Sequence, residues 1–341
     1  NYYYFCSKMC YNNSVVITDT NQMKEVLIMN PRKAAIIGCG FVGSATAFTL
    51  MQSRLFSEIV LIDANYDKAD GEAKDIAHGI PFAGQMKIYA GDYKDIADAG
   101  IVIVTAGANQ QPNETRLDLV HKNVAIYKSI IPQITEQDFQ GILLIVSNPV
   151  DILTYVALKL SGLPENRVIG SGTVLDTARL KYALGEHLSV DSRSVHSFII
   201  GEHGDSEIAA WSSTNVSGIP LNTFCEMRGH FNHEASMKQI ADSVKNSAYE
   251  TIEKKRATYY GIAMSVKRIC ECIVRNERSI LSISSMMHGE YGIEGIALSM
   301  PAIVGFDGVE THVPISLNEE EQQKLRESAK TLKSVAEELD L

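Results

Sequence analysis

Ala34-Ala35-Ile36-Ile37 is a short apolar run that leads into Gly38-Cys39-Gly40-Phe41-Val42-Gly43, and residues 42–52 beyond it have helical texture. An unbroken apolar run of this length reads as a strand buried on both faces, the kind that parallel sheets carry. The three glycines at the strand-to-helix junction have separate tasks. The first permits a tight turn, the second lets the backbone approach a pyrophosphate, and the third lets helix and strand pack closely. The helix N-terminus adds partial positive charge. Outward from this point, Glu58-Ile59-Val60-Leu61-Ile62-Asp63 is a second strand with an acidic end. Residues 87–90, 101–105 and 142–146 are further strand candidates, separated by helical segments, notably 117–137. This alternation predicts an α/β fold with a doubly wound parallel sheet.

Asp63 lies 20 residues past Gly43. A carboxylate at that strand end accepts from both ribose hydroxyls and repels a 2'-phosphate, which selects NAD over NADP.

Past Asn148-Pro149 the texture changes to longer helices (176–188, 234–255 and 260–275) and a few strands of antiparallel appearance (279–285 and 296–304). Asn318 with Glu321 three residues on is a capping box for a terminal helix reaching Leu339. No repeat or low-complexity linker appears, so two tightly joined lobes are expected: residues 29–170 around the cofactor and 171–341 as an α+β substrate lobe. Residues 1–28 contain Tyr2-Tyr3-Tyr4-Phe5 and lack the pattern of a secretory signal. They read as an upstream extension outside the fold, with Met29 as the favoured translation start and Met23 second.

The 341 residues are 45% hydrophobic, enough for such a two-lobed core. A formal net charge of -10 argues against nucleic acid or anionic membrane as partners, since both favour a basic face. It does not exclude a small acid held by a few arginines. No apolar run approaches the ~18 residues that span a bilayer. The closest cysteine pairs, Cys6 with Cys10 and Cys270 with Cys272, lack the two-residue gap of redox and metal motifs. They read as reduced thiols of a cytoplasmic protein. His230 and His233 have no accompanying carboxylate pattern, so no metal is expected.

Three segments carry chemistry. Ala106-Gly107-Ala108-Asn109-Gln110-Gln111-Pro112-Asn113-Glu114-Thr115-Arg116 is a polar, Gly- and Pro-bearing interruption of a strand-helix connection, which suits a lid. Leu175-Asp176-Thr177-Ala178-Arg179 opens a helix, and Asp176 and Arg179 at i and i+3 share one face. Gly201-Glu202-His203-Gly204-Asp205 follows a strand-like run, 195–200.

Together with Ser147-Asn148-Pro149-Val150-Asp151 and Ala257-Thr258-Tyr259-Tyr260-Gly261-Ile262, these segments closely resemble the L-lactate dehydrogenases, particularly the bacterial ones, from about Lys33 to the C-terminus. The resemblance implies a Rossmann domain with NAD as cofactor, pyruvate and L-lactate as substrates, and a homotetramer. His203 would be the acid-base residue, because imidazolium can supply the proton that a ketone oxygen takes as hydride reaches carbon. Asp176 would fix its tautomer and favour the protonated form. Arg179 would hold the substrate carboxylate through a planar fork. Arg116, on the lid, would polarise the carbonyl as the loop closes.

Gln110 is the discriminating position, since malate dehydrogenases carry an arginine there for a second carboxylate. Asn148 would lie beside substrate and nicotinamide, Thr258 would limit pocket size, and Ile262 would give the nicotinamide an apolar face. Further cofactor contacts implied are Val42, Lys68, Tyr93, Gly107, Ala108, Ser129, Val146, Ser147 and Ser171. Bacterial members activated by fructose 1,6-bisphosphate carry an arginine and a histidine at a subunit-interface phosphate site. His196 matches the histidine, but Lys181 replaces the arginine, keeping the charge and losing the fork. Asn113 stands where relatives often carry glycine, a position asparagine tolerates.

Other readings compete. A dehydrogenase of malate or another 2-hydroxy acid would share the scaffold. An NAD-requiring glycosidase would need a cysteine- and histidine-held metal, and a dinucleotide-binding structural protein would not need His203, Asp176, Arg179 and Arg116 together.

Overall fold

The computed structural model describes residues 29–108, 115–339 and 341, and the backbone of strands Cys10–Tyr11, Ser14–Asp19 and Gln22–Leu27. Those three strands pair antiparallel with one another in a separate sheet. The main body is one nine-stranded sheet. Its strands are β1 (Asn30–Ile37), β2 (Glu58–Ile62), β3 (Lys87–Ala90), β4 (Ala99–Val104), β5 (Ile142–Ile145), β6 (Val168–Gly170), β7 (Ser279–His288), β8 (Glu294–Gly305) and β9 (Gly308–His312). The order across it is β3-β2-β1-β4-β5-β6-β7-β8-β9. The first six are parallel in the doubly wound order and reverse direction of winding at β1 and β4, the place where such sheets bind ligands.

The unbroken apolar runs have their physical cause in the two cores. Ala35, Ile37, Val60, Ile62, Val102 and Val104 face one, and their neighbours Ala34, Ile36, Ile59, Leu61, Ile101 and Ile103 face the other. Helices cover both faces: α1 (Phe41–Ser53), α2 (Tyr66–Ala77), α3 (Arg116–Thr135) and α4 (Val150–Ser161). The second lobe adds α5 (Val174–Leu188), α6 (His233–Lys255), α7 (Tyr260–Val274) and α8 (Glu319–Glu337). A third core gathers Leu180, Leu184, Leu188, Val195, Ile199 and Val216 around α5.

The structure makes one expectation more specific and adjusts two others. The tight joining of the lobes takes a specific form: β7 pairs with β6 where Ser284 faces Gly170, so one sheet runs through both lobes. The run 195–200 is broken into Val195–His196 and Ile199–Ile200, which pair in different sheets. Between them Ser197 turns inward to bond Thr214 at 2.7 Å. The terminal helix has its capping box, with Asn318 Oδ1 accepting from Glu321 N and Glu321 Oε2 from Asn318 N, both 2.9 Å, but its last turn ends at Glu337 rather than Leu339.

Candidate active site

At the end of β1, Gly38 has φ 99°, and a Cβ there would come within 2.6 Å of the Ala106 nitrogen. A Cβ on Gly43 would collide with the Gly38 carbonyl. Gly40 differs: nothing lies within 4 Å of the position its Cβ would take. Open space therefore adjoins the N-terminus of α1, whose N-cap Gly40 leaves the first amides without a side-chain acceptor. Asp63, just past β2, accepts from Cys39 N at 2.7 Å and Asn65 N at 2.9 Å, which fixes its carboxylate beside this opening. A cradle free of side chain, a helix N-terminus and a fixed carboxylate fit a dinucleotide. Cys39 within the turn is buried, and burial together with Asp63 and Glu72 pushes its thiol up to about 12, so it stays neutral.

On the other side of the opening, Ser147 Oγ donates to Ala106 O at 2.6 Å. Fully buried Asn123, from α3, accepts from Ala108 N at 2.7 Å and donates to Asn148 O at 2.7 Å. One side chain thus ties the Gly107–Ala108 turn to Asn148. Val146 is buried beneath it, and Ser171 N donates to Ile145 O at the end of β6. Tyr93 and Ile262 are half-buried against the two sheet cores, and Thr258 lies between α6 and α7. Lys68 is exposed on α2, close enough to lower the Cys39 thiol. Ser129 is exposed on α3 and bonds within the helix to Ile126 O.

The reaction cluster is assembled from four elements. Thr173, at the start of α5, donates to Ile199 O at 2.6 Å, and Thr177 accepts from Ile199 N at 2.9 Å. These bonds clamp the first turn of α5 to the strand that leads into His203. Asp176 in that turn takes His203 Nδ1 at 2.6 Å and Arg179 Nη1 at 2.8 Å, one on each oxygen. Its side chain is 3% exposed, against 23% for His203 and 16% for Arg179. Beneath the loop, buried Asp151 accepts from His203 N at 2.8 Å and from Ser299 Oγ at 3.1 Å. Gly201 pairs with Ser299 of β8, fixing the loop from the opposite side.

Burial alone would discharge His203, but the charge and hydrogen bond of Asp176 outweigh it and carry the imidazole up to about 9. Burial would likewise raise Asp176, and the pull of His203 and then Arg179 overcomes this and lowers it. The pair is therefore an imidazolium held by a carboxylate. With Nδ1 committed to Asp176, Nε2 is the nitrogen that can pass a proton outward.

A model of the lactate/malate dehydrogenase NAD binding domain matches residues 32–170, and one of the family's alpha/beta C-terminal domain matches 173–340. The chain belongs to the lactate/malate dehydrogenase family. An L-lactate dehydrogenase of Acetivibrio thermocellus is 55% identical over 310 residues, covering 91% of this chain and 98% of that protein. L-lactate dehydrogenase 1 of Clostridium acetobutylicum is 53% identical over 301 residues, 88% of this chain and 96% of its own. The crystal structure of a minor L-lactate dehydrogenase from Enterococcus mundtii, in its ligands-bound form, superimposes with a TM-score of 0.88 at 44% identity, covering 91% and 99% of the two chains. As a member of the lactate/malate dehydrogenase family, the chain is an oxidoreductase with NAD as cofactor.

Within the family frame, Gln110 and Asn113 lie outside the described residues, as does the side chain of Arg116. The backbone of Arg116 starts α3, capped by Thr115, whose hydroxyl accepts from Asp118 N at 3.1 Å. Lys181 is half-buried on α5 and His196 is exposed. His230 lies against His187 with ring centroids 4.4 Å apart and planes tilted by 40°, and His233 contacts Glu226 at 3.3 Å. Among the described residues, the set of three acid or histidine groups gathered within 4.8 Å is Asp176, His203 and Glu207, inside the reaction cluster itself. Sequence reasoning missed Asp151, Asn123, Ser299 and Glu207. Asp151 sat in plain view in the Asn148-Pro149-Val150-Asp151 segment, but nothing in its spacing points to a loop 52 residues away.

Proposed function

We propose that this chain catalyses the reversible NADH-dependent reduction of pyruvate to L-lactate. The observation that supports it is the continuous Arg179–Asp176–His203 contact: an anion clamp and a proton donor meet on one buried carboxylate. NADH, when bound, supplies the hydride. Arg179 turns its fork to the substrate carboxylate and orients the carbonyl toward His203. His203 Nε2 gives its proton to the carbonyl oxygen, and Asp176 stabilises the imidazolium before that transfer and the correct tautomer after it. In the reverse direction neutral His203 takes the hydroxyl proton. Arg116 would polarise the carbonyl, while Asn148 and Thr258 bound the pocket.

The choice of pyruvate rests on Gln110, which would leave a second carboxylate without a partner. Comparing kcat/KM for pyruvate, oxaloacetate and longer 2-oxo acids tests it. Pyruvate should lead, and Gln110→Arg should move preference to oxaloacetate; an oxaloacetate preference in the unaltered enzyme would defeat the assignment.

Residues 29–170 and 171–341 serve in this reading as cofactor and substrate domains of a cytoplasmic homotetramer. Buried free Cys39, Cys225, Cys270 and Cys272 accord with a reducing compartment. Among the described residues no helix is long and apolar enough to cross a membrane. Fructose 1,6-bisphosphate activation through Lys181 and His196 belongs to the same proposal. The Lys181 ammonium is half-buried without an ion-pair partner among the described residues, and burial lowers its pKa, the condition a bound phosphate would relieve. Superimposable pyruvate saturation curves with and without the bisphosphate would refute it.

A further inference from the structure

Glu207 lies four residues past His203, and its carboxyl is within 4.8 Å of both an Asp176 carboxylate oxygen and a His203 ring nitrogen. The neighbouring carboxyls are supplied with donors: Asp176 by His203 and Arg179, Asp151 by the His203 amide and the Ser299 hydroxyl. Glu207 has no hydrogen-bond donor among the described residues. A half-buried carboxylate facing another across so short a gap, with no donor to settle it, is held toward its neutral form. Burial, then the charge of Asp176, push it up to about 8. The opposing pull comes from His203 on its own loop, Arg179 on α5 and Lys245 on α6, the last bonded to the Asp205 carbonyl.

We propose that Glu207 is a proton-linked charge of the reaction site, which admits the carboxylate substrate when protonated and repels it when ionised. With burial holding Asp151 toward its neutral form, imidazolium, guanidinium and the Asp176 carboxylate together carry one net positive charge, the complement of a monocarboxylate. Ionised Glu207 cancels that charge while holding the His203 imidazole more basic, since its charge is among those that raise His203. The neutral carboxyl thus sets the pH at which the enzyme still accepts its substrate, separately from the pH at which His203 loses its proton. This inference rests on the 2-oxo acid reading, which it deepens. Glu207 takes no part in the proton transfer itself; its charge acts on the incoming carboxylate and on the His203 imidazole.

The test compares the full-length protein with Glu207→Gln. Oxamate, an unreactive isostere of pyruvate, is titrated into the NADH complex by fluorescence across about pH 6 to 10. The unaltered enzyme should lose about tenfold more oxamate affinity over that range than the variant, since it loses one additional favourable charge state. In the protein without ligands, the carbon-13-labelled His203 ring should titrate about one pH unit lower in the variant. Glu207→Met, which removes the charge without adding an amide, must give the same two displacements. Coincident oxamate profiles and coincident His203 titrations would overturn the proposal. If the unaltered enzyme reduces no 2-oxo acid, the parent reading fails instead, and the His203 titration still decides whether Glu207 controls the imidazole.

Discussion

The cofactor turn and the reaction cluster lie on the same sheet and are built in opposite ways. The turn is a contiguous piece of chain in which backbone geometry does the positioning: Gly38 at φ 99°, open space at Gly40, close packing at Gly43. The cluster draws side chains far apart in sequence from α4, α5, the His203 loop and β8, and holds them through buried polar bonds. Damage to the turn should be graded by steric fit, whereas damage to the cluster should be graded by which charge or donor is left without a partner.

The largest test of this contrast is His203→Asn. Pyruvate reduction should fall by about a thousandfold, with NADH binding by fluorescence retained, because the turn does not depend on the imidazole. Loss of NADH binding in the same variant would show that the two regions are not independent. Next, Arg179→Lys keeps the charge but not the fork, and the KM for pyruvate should rise by about a hundredfold while the NADH Kd stays put.

Asp151→Ala removes the shared acceptor of the His203 amide and the Ser299 hydroxyl. A chemical-denaturation series should show a stability loss of about 1–3 kcal/mol together with a lower kcat, and Asp151→Asn should restore part of both. Within the turn, Gly40→Ala should fold normally and weaken NADH binding, whereas Gly43→Ala should destabilise the fold through its contact with the Gly38 carbonyl. Equal melting temperatures for the two would contradict the division of roles among the glycines.

The smallest effect is one of pH. The imidazole is carried up to about 9, so the protonated donor is present below that value and lost above it. At saturating pyruvate, where weakened binding is overcome, reduction should therefore decline as pH rises through about 9, while lactate oxidation at saturating lactate, which needs the neutral ring, should gain over the same interval. Parallel declines in both directions, measured by initial rates, would remove His203 as the titrating group.

The contrast also explains what could be read before any fold was known. The turn was legible because its physics is local: a buried strand, three glycines at fixed spacing and an acid at the next strand end. The Asp176–Arg179 pair was legible for the same reason, one helical turn being a local distance. Asp151 and Asn123 were not. Each is a polar residue embedded in an apolar helix pattern, and each becomes intelligible only when the backbone group it satisfies is known, here His203 N and Asn148 O. The run 195–200 misled because alternation cannot show that Ser197 leaves one ladder before Ile199 enters another. The joining of the two lobes into one sheet was hidden because β6 is three residues long, below the length at which periodicity is informative.

Asn148 and Asp151 are neighbours on the first turn of chain entering α4, one proposed to lie beside the nicotinamide and the other fastened to the His203 amide. A flat ketone gripped at its carboxylate by Arg179 would then have its two faces distinguished by a single rigid piece of backbone four residues long. On that reading the product's handedness is written into the scaffold: a substrate turned over would present its oxygen away from the proton donor, and the mirror-image alcohol would not form.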